Sequence, residues 1–264
     1  MSNLIKSEVY KLLHSKVFRN SCITMGIMAF FTIFTRFIFN DAPIYLMHTY
    51  IGDRSYGFLV NGMGDLGPVI YLKNALGGIA IVIIVSIFLV GVAIVNEFTG
   101  GTIKNSVSYG HNRTQIYLSK IIGSSIVVLG MTTVYCIVSL IGSALFYGWG
   151  EPFAISRIND MIKMILLVDI ILIGIISINI CLAVIIKSKA LLEVVLMAMI
   201  FITATTIADP IPWFLKFNPF FMLMDVCAEI PSMNIMAIYT INTVILVIIS
   251  SIIGVSWFKN QDIK

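Results

Sequence analysis

Charge is scarce in this chain. Only 11% of its 264 residues are Asp, Glu, Lys or Arg, while 59% are hydrophobic. Soluble domains carry about a quarter charged residues, and the mean hydropathy of +1.00 points the same way. Folded in water, such a chain would present a largely apolar surface and aggregate. The shortage of charge therefore excludes a soluble enzyme, a disordered tail and a free nucleic-acid binder.

Metal-binding and nucleophilic patterns are lacking as well. Three histidines, His14, His48 and His111, fall on three different segments, with no His-x-x-x-His spacing. The four cysteines are scattered: Cys22, Cys136 and Cys181 in apolar runs, Cys227 in a loop. With no Cys-x-x-Cys pair they suggest neither zinc nor a disulfide framework. There is no Gly-x-Ser-x-Gly elbow. Gly100-Gly101-Thr102-Ile103-Lys104-Asn105-Ser106 superficially suggests a phosphate loop. That motif needs Gly just before the Lys and Ser or Thr just after it. Ile103 and Asn105 occupy those places, so ATP binding by this chain is excluded, and no cofactor is expected.

What is present is a set of long apolar runs. A membrane-spanning helix needs about 20 mostly apolar residues. Six stretches satisfy this: 20–39, 74–95, 116–148, 161–186, 190–208 and 236–258. The expected fold is thus all-α: a single polytopic membrane domain of six transmembrane helices. The third stretch exceeds the membrane thickness, so its first turns, with Lys120, are expected to project from it. Only Lys187-Ser188-Lys189 separates the fourth and fifth, which predicts a helical hairpin.

The first 18 residues are too short and polar to span. Leu4, Ile5, Val9, Leu12 and Leu13 recur at helical spacing, with Lys6, Glu8, Lys11 and Lys16 among the remaining positions. This predicts an amphipathic helix in the membrane interface. No small-x-small site follows the first apolar run, so an uncleaved first span is expected. Basic residues alternate between loops. Lys6, Lys11, Lys16, Arg19, Lys104, Arg113, Lys120, Lys187, Lys189, Lys259 and Lys264 share one side; Arg54, Lys73, Arg157, Lys163 and Lys216 share the other. The richer side holds four acidic residues, the poorer eight. The positive-inside rule then puts both termini in the cytoplasm.

Two outer segments have character. Residues 40–73 hold five glycines between Gly52 and Gly67 and the tyrosines 45, 50, 56 and 71, which predicts a mobile, aromatic-rich loop. In 209–235, Pro210, Pro212, Pro219 and Pro231 cut the chain into apolar pieces too short to span. These are either re-entrant helices or a surface loop anchored by Trp213 and Phe214.

Within the spans, Asp169 is the one ionisable residue expected at midplane depth, and Arg36 lies at the outer end of the first span. Charge at that depth costs about 2.5–3.5 kcal/mol on insertion scales, so it faces protein or water. Asp169 either couples transport to an ion, forms a structural pair with Arg36, or faces loop water while Arg36 snorkels to the interface.

The most informative inner segment is 96–115. Gly100-Gly101 breaks the second span, Thr102 to Tyr109 can form a short helix, and Gly110 suits a C-terminal stop. Asn112 with Gln115 reads as a capping box for the next helix. Span, break, short helix, break, span describes either a docking element or a plain connecting loop.

Three stretches carry a resemblance: Asn3-Leu4-Ile5-Lys6-Ser7-Glu8 with Tyr10-Lys11-Leu12; Asn96-Glu97-Phe98 through Gly101-Thr102-Ile103-Lys104-Asn105; and Arg113-Thr114-Gln115-Ile116-Tyr117-Leu118-Ser119-Lys120. In these and in its layout the chain resembles permease subunits of type-2 ABC exporters, in particular the bacitracin-resistance and lantibiotic-immunity permeases. The long outer loop 40–73 departs from the shortest members. The resemblance implies a multi-pass bacterial plasma-membrane subunit that is not itself an enzyme. It pairs with a second permease, identical or different, and binds two separate ATP-binding subunits. Membrane lipid surrounds it, and nucleic acid plays no part. It also implies a coupling helix that docks on the ATPase. Glu97, Gly100, Gly101, Asn105 and Arg113 shape the loop, and Thr102, Ile103 and Lys104 face the partner. The implied cargo is an amphipathic antimicrobial peptide or hydrophobic drug. An ion-coupled secondary transporter using Asp169 and a non-transporting scaffold are the alternatives; the former predicts inverted repeats, which the sequence lacks.

Overall fold

The computed structural model describes every residue except 41, 52–53, 63–66, 151–154, 205–216, 230 and 262–264, and leaves out the side chains of 50, 51, 54, 55, 105, 155–157 and 204. Its described elements are α1 (Ser2–Leu13), α2 (Lys16–Phe39), a hairpin of β1 (Ile44–Ile51) and β2 (Arg54–Asn61), α3 (Pro68–Gly77), α4 (Ile79–Thr99), α5 (Thr102–Ser108), α6 (Arg113–Tyr147), α7 (Ile155–Ile186), α8 (Lys189–Ala204), α9 (Pro219–Ala228) and α10 (Met233–Lys259).

Five of these helices, α2, α4, α6, α7 and α10, are long and apolar enough to cross a membrane. The described part of α8 is 16 residues, and 205–208 of the fifth expected span lie outside the described residues. α6 is 35 residues, about 52 Å at 1.5 Å per residue, against a hydrocarbon core of about 30 Å. α7 is the central helix and packs against α4, α6, α8, α9 and α10. Its buried side chains include Met164, Val168, Ile171, Ile175 and Val184. By contrast, α10 turns Ile238, Ile241, Ile245, Ile248 and Ile252 outward at alternating spacings of three and four. An outward isoleucine stripe of that kind suits acyl chains and not water. The architecture is that of a helical, multi-pass membrane protein.

Hydroxyls join the helices where carbon packing alone would not orient them. Ser177 of α7 and Ser250 of α10 hydrogen-bond at 2.6 Å, and Tyr117 of α6 donates to the Ser250 carbonyl at 3.3 Å.

The structure departs from the sequence expectations in two places and decides between alternatives in a third. Residues 40–73 are not simply a loop. Strands β1 and β2, rich in β-branched and aromatic residues, pair antiparallel. Phe58 and Val60, two apart on β2, both point inward and are buried. Asn61 Nδ2 donates to the carbonyls of Asn40 (2.9 Å) and Ala42 (2.7 Å), tying the hairpin to the end of α2. The expected second span, 74–95, is divided: α3 ends at Gly77 and α4 starts at Ile79. Gly77 is required there because a Cβ would lie 2.0 Å from the Leu59 carbonyl oxygen of β2. Third, every residue of α9 from Pro219 to Cys227 is buried, against α3, α7, α8 and β2. For residues 219–228 this excludes the surface-loop reading and fits the broken, protein-covered one. Trp213 and Phe214 lie outside the described residues.

Candidate docking helix and its ionic anchor

In the 96–115 segment the two breaks and the short helix lie where the sequence places them, while the capping box is reduced to its Asn112 half. α4 stops at Gly100, and Gly101 follows at φ +66°, in the left-handed region. α5 is a two-turn helix closed by Gly110 at φ +80°. Asn112 caps α6, its side chain accepting from the Thr114 amide at 3.2 Å. Within α5 the faces differ. Ile103 is 2% exposed and belongs to the main apolar core. That corrects the expectation that Ile103 faces a partner: its side chain fastens α5 to the bundle. Thr102 and Lys104 are exposed, and Tyr109, just beyond the helix, is 82% exposed. The side chain of Asn105 lies outside the described ones.

At the end of α4, where the chain turns toward α5, sits a cluster of four charges from three helices. Lys11 Nζ of α1 lies 2.7 Å from Glu97 Oε1 at the end of α4 and 2.8 Å from Glu8 Oε1. Lys120 Nζ of α6 lies 3.3 Å from both oxygens of Glu8 and pairs directly with Glu97 Oε2. Two carboxylates and two ammoniums balance. A buried charge set of this kind is tolerated only when each member is paired. Burial acts to lower the Lys11 pKa, but attraction to Glu97 and Glu8 outweighs it and holds the ammonium above its usual range.

Lys120, expected in the turns of α6 that extend beyond the membrane, is 3% exposed and covered by α1 and the end of α4. One sequence expectation changes here. Glu8 was expected on the polar face of α1; the buried face of that helix is Leu4, Glu8 and Leu12, and Leu13 is 42% exposed. A carboxylate at i+4 between two buried leucines is the signal that could have found it. Gly123 of α6 makes the contact possible, since a Cβ there would lie 2.8 Å from the Glu8 Cβ.

Arg113 caps another element. Its Nη1 donates to the carbonyls of Phe258 (3.1 Å), Lys259 (2.7 Å) and Gln261 (2.7 Å), at the C-terminal end of α10 where unpaired carbonyls and the helix dipole favour a cation. Phe98, next to Glu97, packs edge-on against Phe258 at 5.9 Å, with Lys187 Nζ 5.5 Å from its ring centroid. The segment leading into α5 is thus fixed to α1, α6, the α7–α8 link and α10.

Of the readings offered for Asp169, the structural pair with Arg36 is not formed: the two do not bridge each other, and Asp169 Oδ1 is buried without a hydrogen-bond partner. As a whole residue Asp169 is half-buried, and a more deeply buried acid lies elsewhere in the bundle. Asp225 on α9 is 3% exposed and accepts from Tyr239 Oη of α10 at 2.6 Å. Among the described residues no group of three or more His, Cys, Asp or Glu could hold a metal ion. No family model matches this chain, and no curated protein matches it.

Proposed function

We propose that this chain is the membrane-spanning subunit of an ATP-driven exporter whose ATP is hydrolysed by a separate subunit docked on α5. The observation supporting this reading is the contrast within α5. A two-turn helix bounded by Gly101 and Gly110 is fastened on one side by Ile103 and by the ion cluster around Glu97. On the other side it leaves Thr102, Lys104 and Tyr109 exposed. A mere connector between α4 and α6 has no need of that anchoring. A helix that must pass a push from a soluble motor into the bundle does, because force crosses only a rigid contact. In this reading α1 lies in the membrane interface, α5 and both termini are cytoplasmic, and α8 with residues beyond it completes six spans. Two permease subunits, alike or different, face two ATPase subunits in the plasma membrane of a bacterium. The cargo is an amphipathic antimicrobial peptide or a hydrophobic drug.

An ATP-binding-cassette gene adjoining that of this chain, and co-expression with its product, would test the reading. The two should co-purify and hydrolyse ATP with vanadate sensitivity, and Lys104→Glu with Tyr109→Ala should abolish co-purification while leaving the permease folded. Unchanged co-purification in that double variant overturns α5 as the dock. A second reading, an ion-coupled transporter, is favoured only by the unpartnered Asp169 Oδ1.

A further inference from the structure

A groove of about 460 Å³ opens between α2 and α6, floored by α1. Val9 and Leu13 of α1, Cys22 and Gly26 of α2, and Gly130 and Val134 of α6 line it, and the lining is apolar. Both glycines leave it open: a Cβ at Gly26 or at Gly130 would meet nothing within 4 Å. Along α2 the groove runs from Phe18 to Ala29, about 16 Å of helix. That is roughly half of a 30 Å hydrocarbon core, the depth of one leaflet.

Basic residues flank its lining in the chain, beside Phe18 on α2 and before Val9 on α1. Lys16 and Arg19 are exposed in the first turn of α2, and Lys6 is exposed on α1. None of the three forms an ion pair among the described residues, and Glu8, the one acid in residues 1–39, is buried and paired with Lys11 and Lys120. We infer that the groove is a binding site for an anionic phospholipid of the adjoining leaflet. One acyl chain lies between Gly26 and Gly130, and the phosphate meets Arg19 and Lys16. A single acyl chain matches both the length and the apolar lining. A zwitterionic headgroup would leave the three cations uncompensated, whereas an anionic one brings charge into their reach. The site requires only that α2 and α6 cross a bilayer, not that the chain transports anything.

The test uses the full-length protein in vesicles of equal phosphatidylglycerol and phosphatidylcholine, with trace spin-labelled lipid of either kind. The expected result is a motionally restricted fraction that favours phosphatidylglycerol. Arg19→Gln and Lys16→Gln should each lower that preference about fivefold. Gly26→Leu or Gly130→Leu should fill the groove and abolish the selected fraction at an unchanged melting temperature. The charge variants change exposed side chains, so they remain informative if a leucine variant fails to fold. Equal restriction of both lipids, or a preference indifferent to the charge variants, overturns the site. So does efficient Cys22–Cys22 cross-linking between copies, because a second copy would then fill the groove.

Discussion

Lys11 and Glu97 stand 86 residues apart in the chain and 2.7 Å apart at their charged atoms. The contact joins the first helix to the end of α4, just where the backbone turns into α5. Lys120 completes it from α6, so three helices meet on one neutral set of two acids and two bases. Any shift of α5 relative to the bundle strains this set. In the exporter reading it is therefore the joint through which the dock would move the spans.

Removing Lys120 leaves Glu8 and Glu97 facing each other with only the half-exposed Lys11 between them. Breaking a buried ion set by deleting one partner costs about 3–5 kcal/mol. Lys120→Ala is therefore expected to lower the thermal stability of the detergent-solubilised protein sharply. A triple change of Lys120→Met, Glu8→Gln and Glu97→Gln should restore much of it, since no buried charge is then unpaired. A triple variant as unstable as the single one would show that packing, not charge, dominates the joint.

Gly123 offers a steric test of the same joint. Gly123→Leu must displace α1, because even a Cβ falls 2.8 Å from Glu8 Cβ and 3.6 Å from the Val9 amide nitrogen. Protease cleavage within residues 1–15 is expected to accelerate, with the rest of the bundle intact. Unaltered cleavage would mean that α1 is held mainly by its leucines.

Lys11 gives the joint a pH dependence. Its folded pKa is raised above 10.5, so its contribution to stability is fully present below that value and is lost as pH rises through the higher folded one. The melting-temperature difference between wild type and Lys11→Met should thus be constant at neutral and mildly alkaline pH and shrink only above pH 10.5. A difference that vanishes well below that point would contradict the pairing with Glu97 and Glu8.

Local signals were legible in the sequence; long-range partners were not. The glycines at 100–101 and 110 and the cap at Asn112 act within a few residues, and composition alone reports them. The α7–α8 hairpin followed from a three-residue link. The place of Lys120 near the start of a helix longer than the membrane is thick could be read locally, but its partners Glu8 and Glu97 lie on other helices and could not. The resemblance counted Ile103 among the contact residues, and a seven-residue helix is too short for periodicity to reassign its faces. The β1–β2 hairpin was hidden among glycines and tyrosines that suit a loop equally well. Asp225 was overlooked for a similar reason: prolines on either side mark a break in the chain, and nothing local shows that the broken piece is packed into the bundle.

Asp225 and Asp169 separate a structural carboxylate from one that holds no partner. Tyr239→Phe removes the 2.6 Å bond to Asp225, a loss of about 0.5–1.5 kcal/mol for one intramolecular hydrogen bond. Asp169→Asn removes no hydrogen bond at Oδ1, so the melting temperature should hold, and Asp169→Leu should raise it by replacing a desolvated polar group with carbon. A polar atom buried without a partner is a standing cost to the fold. If peptide or drug efflux disappears in Asp169→Asn at unchanged stability and unchanged ATPase binding, that cost is offset by function, and the carboxylate handles an ion or cargo during transport. If both substitutions instead destabilise the protein as much as Tyr239→Phe does, Asp169 is structural and the ion-coupled reading fails.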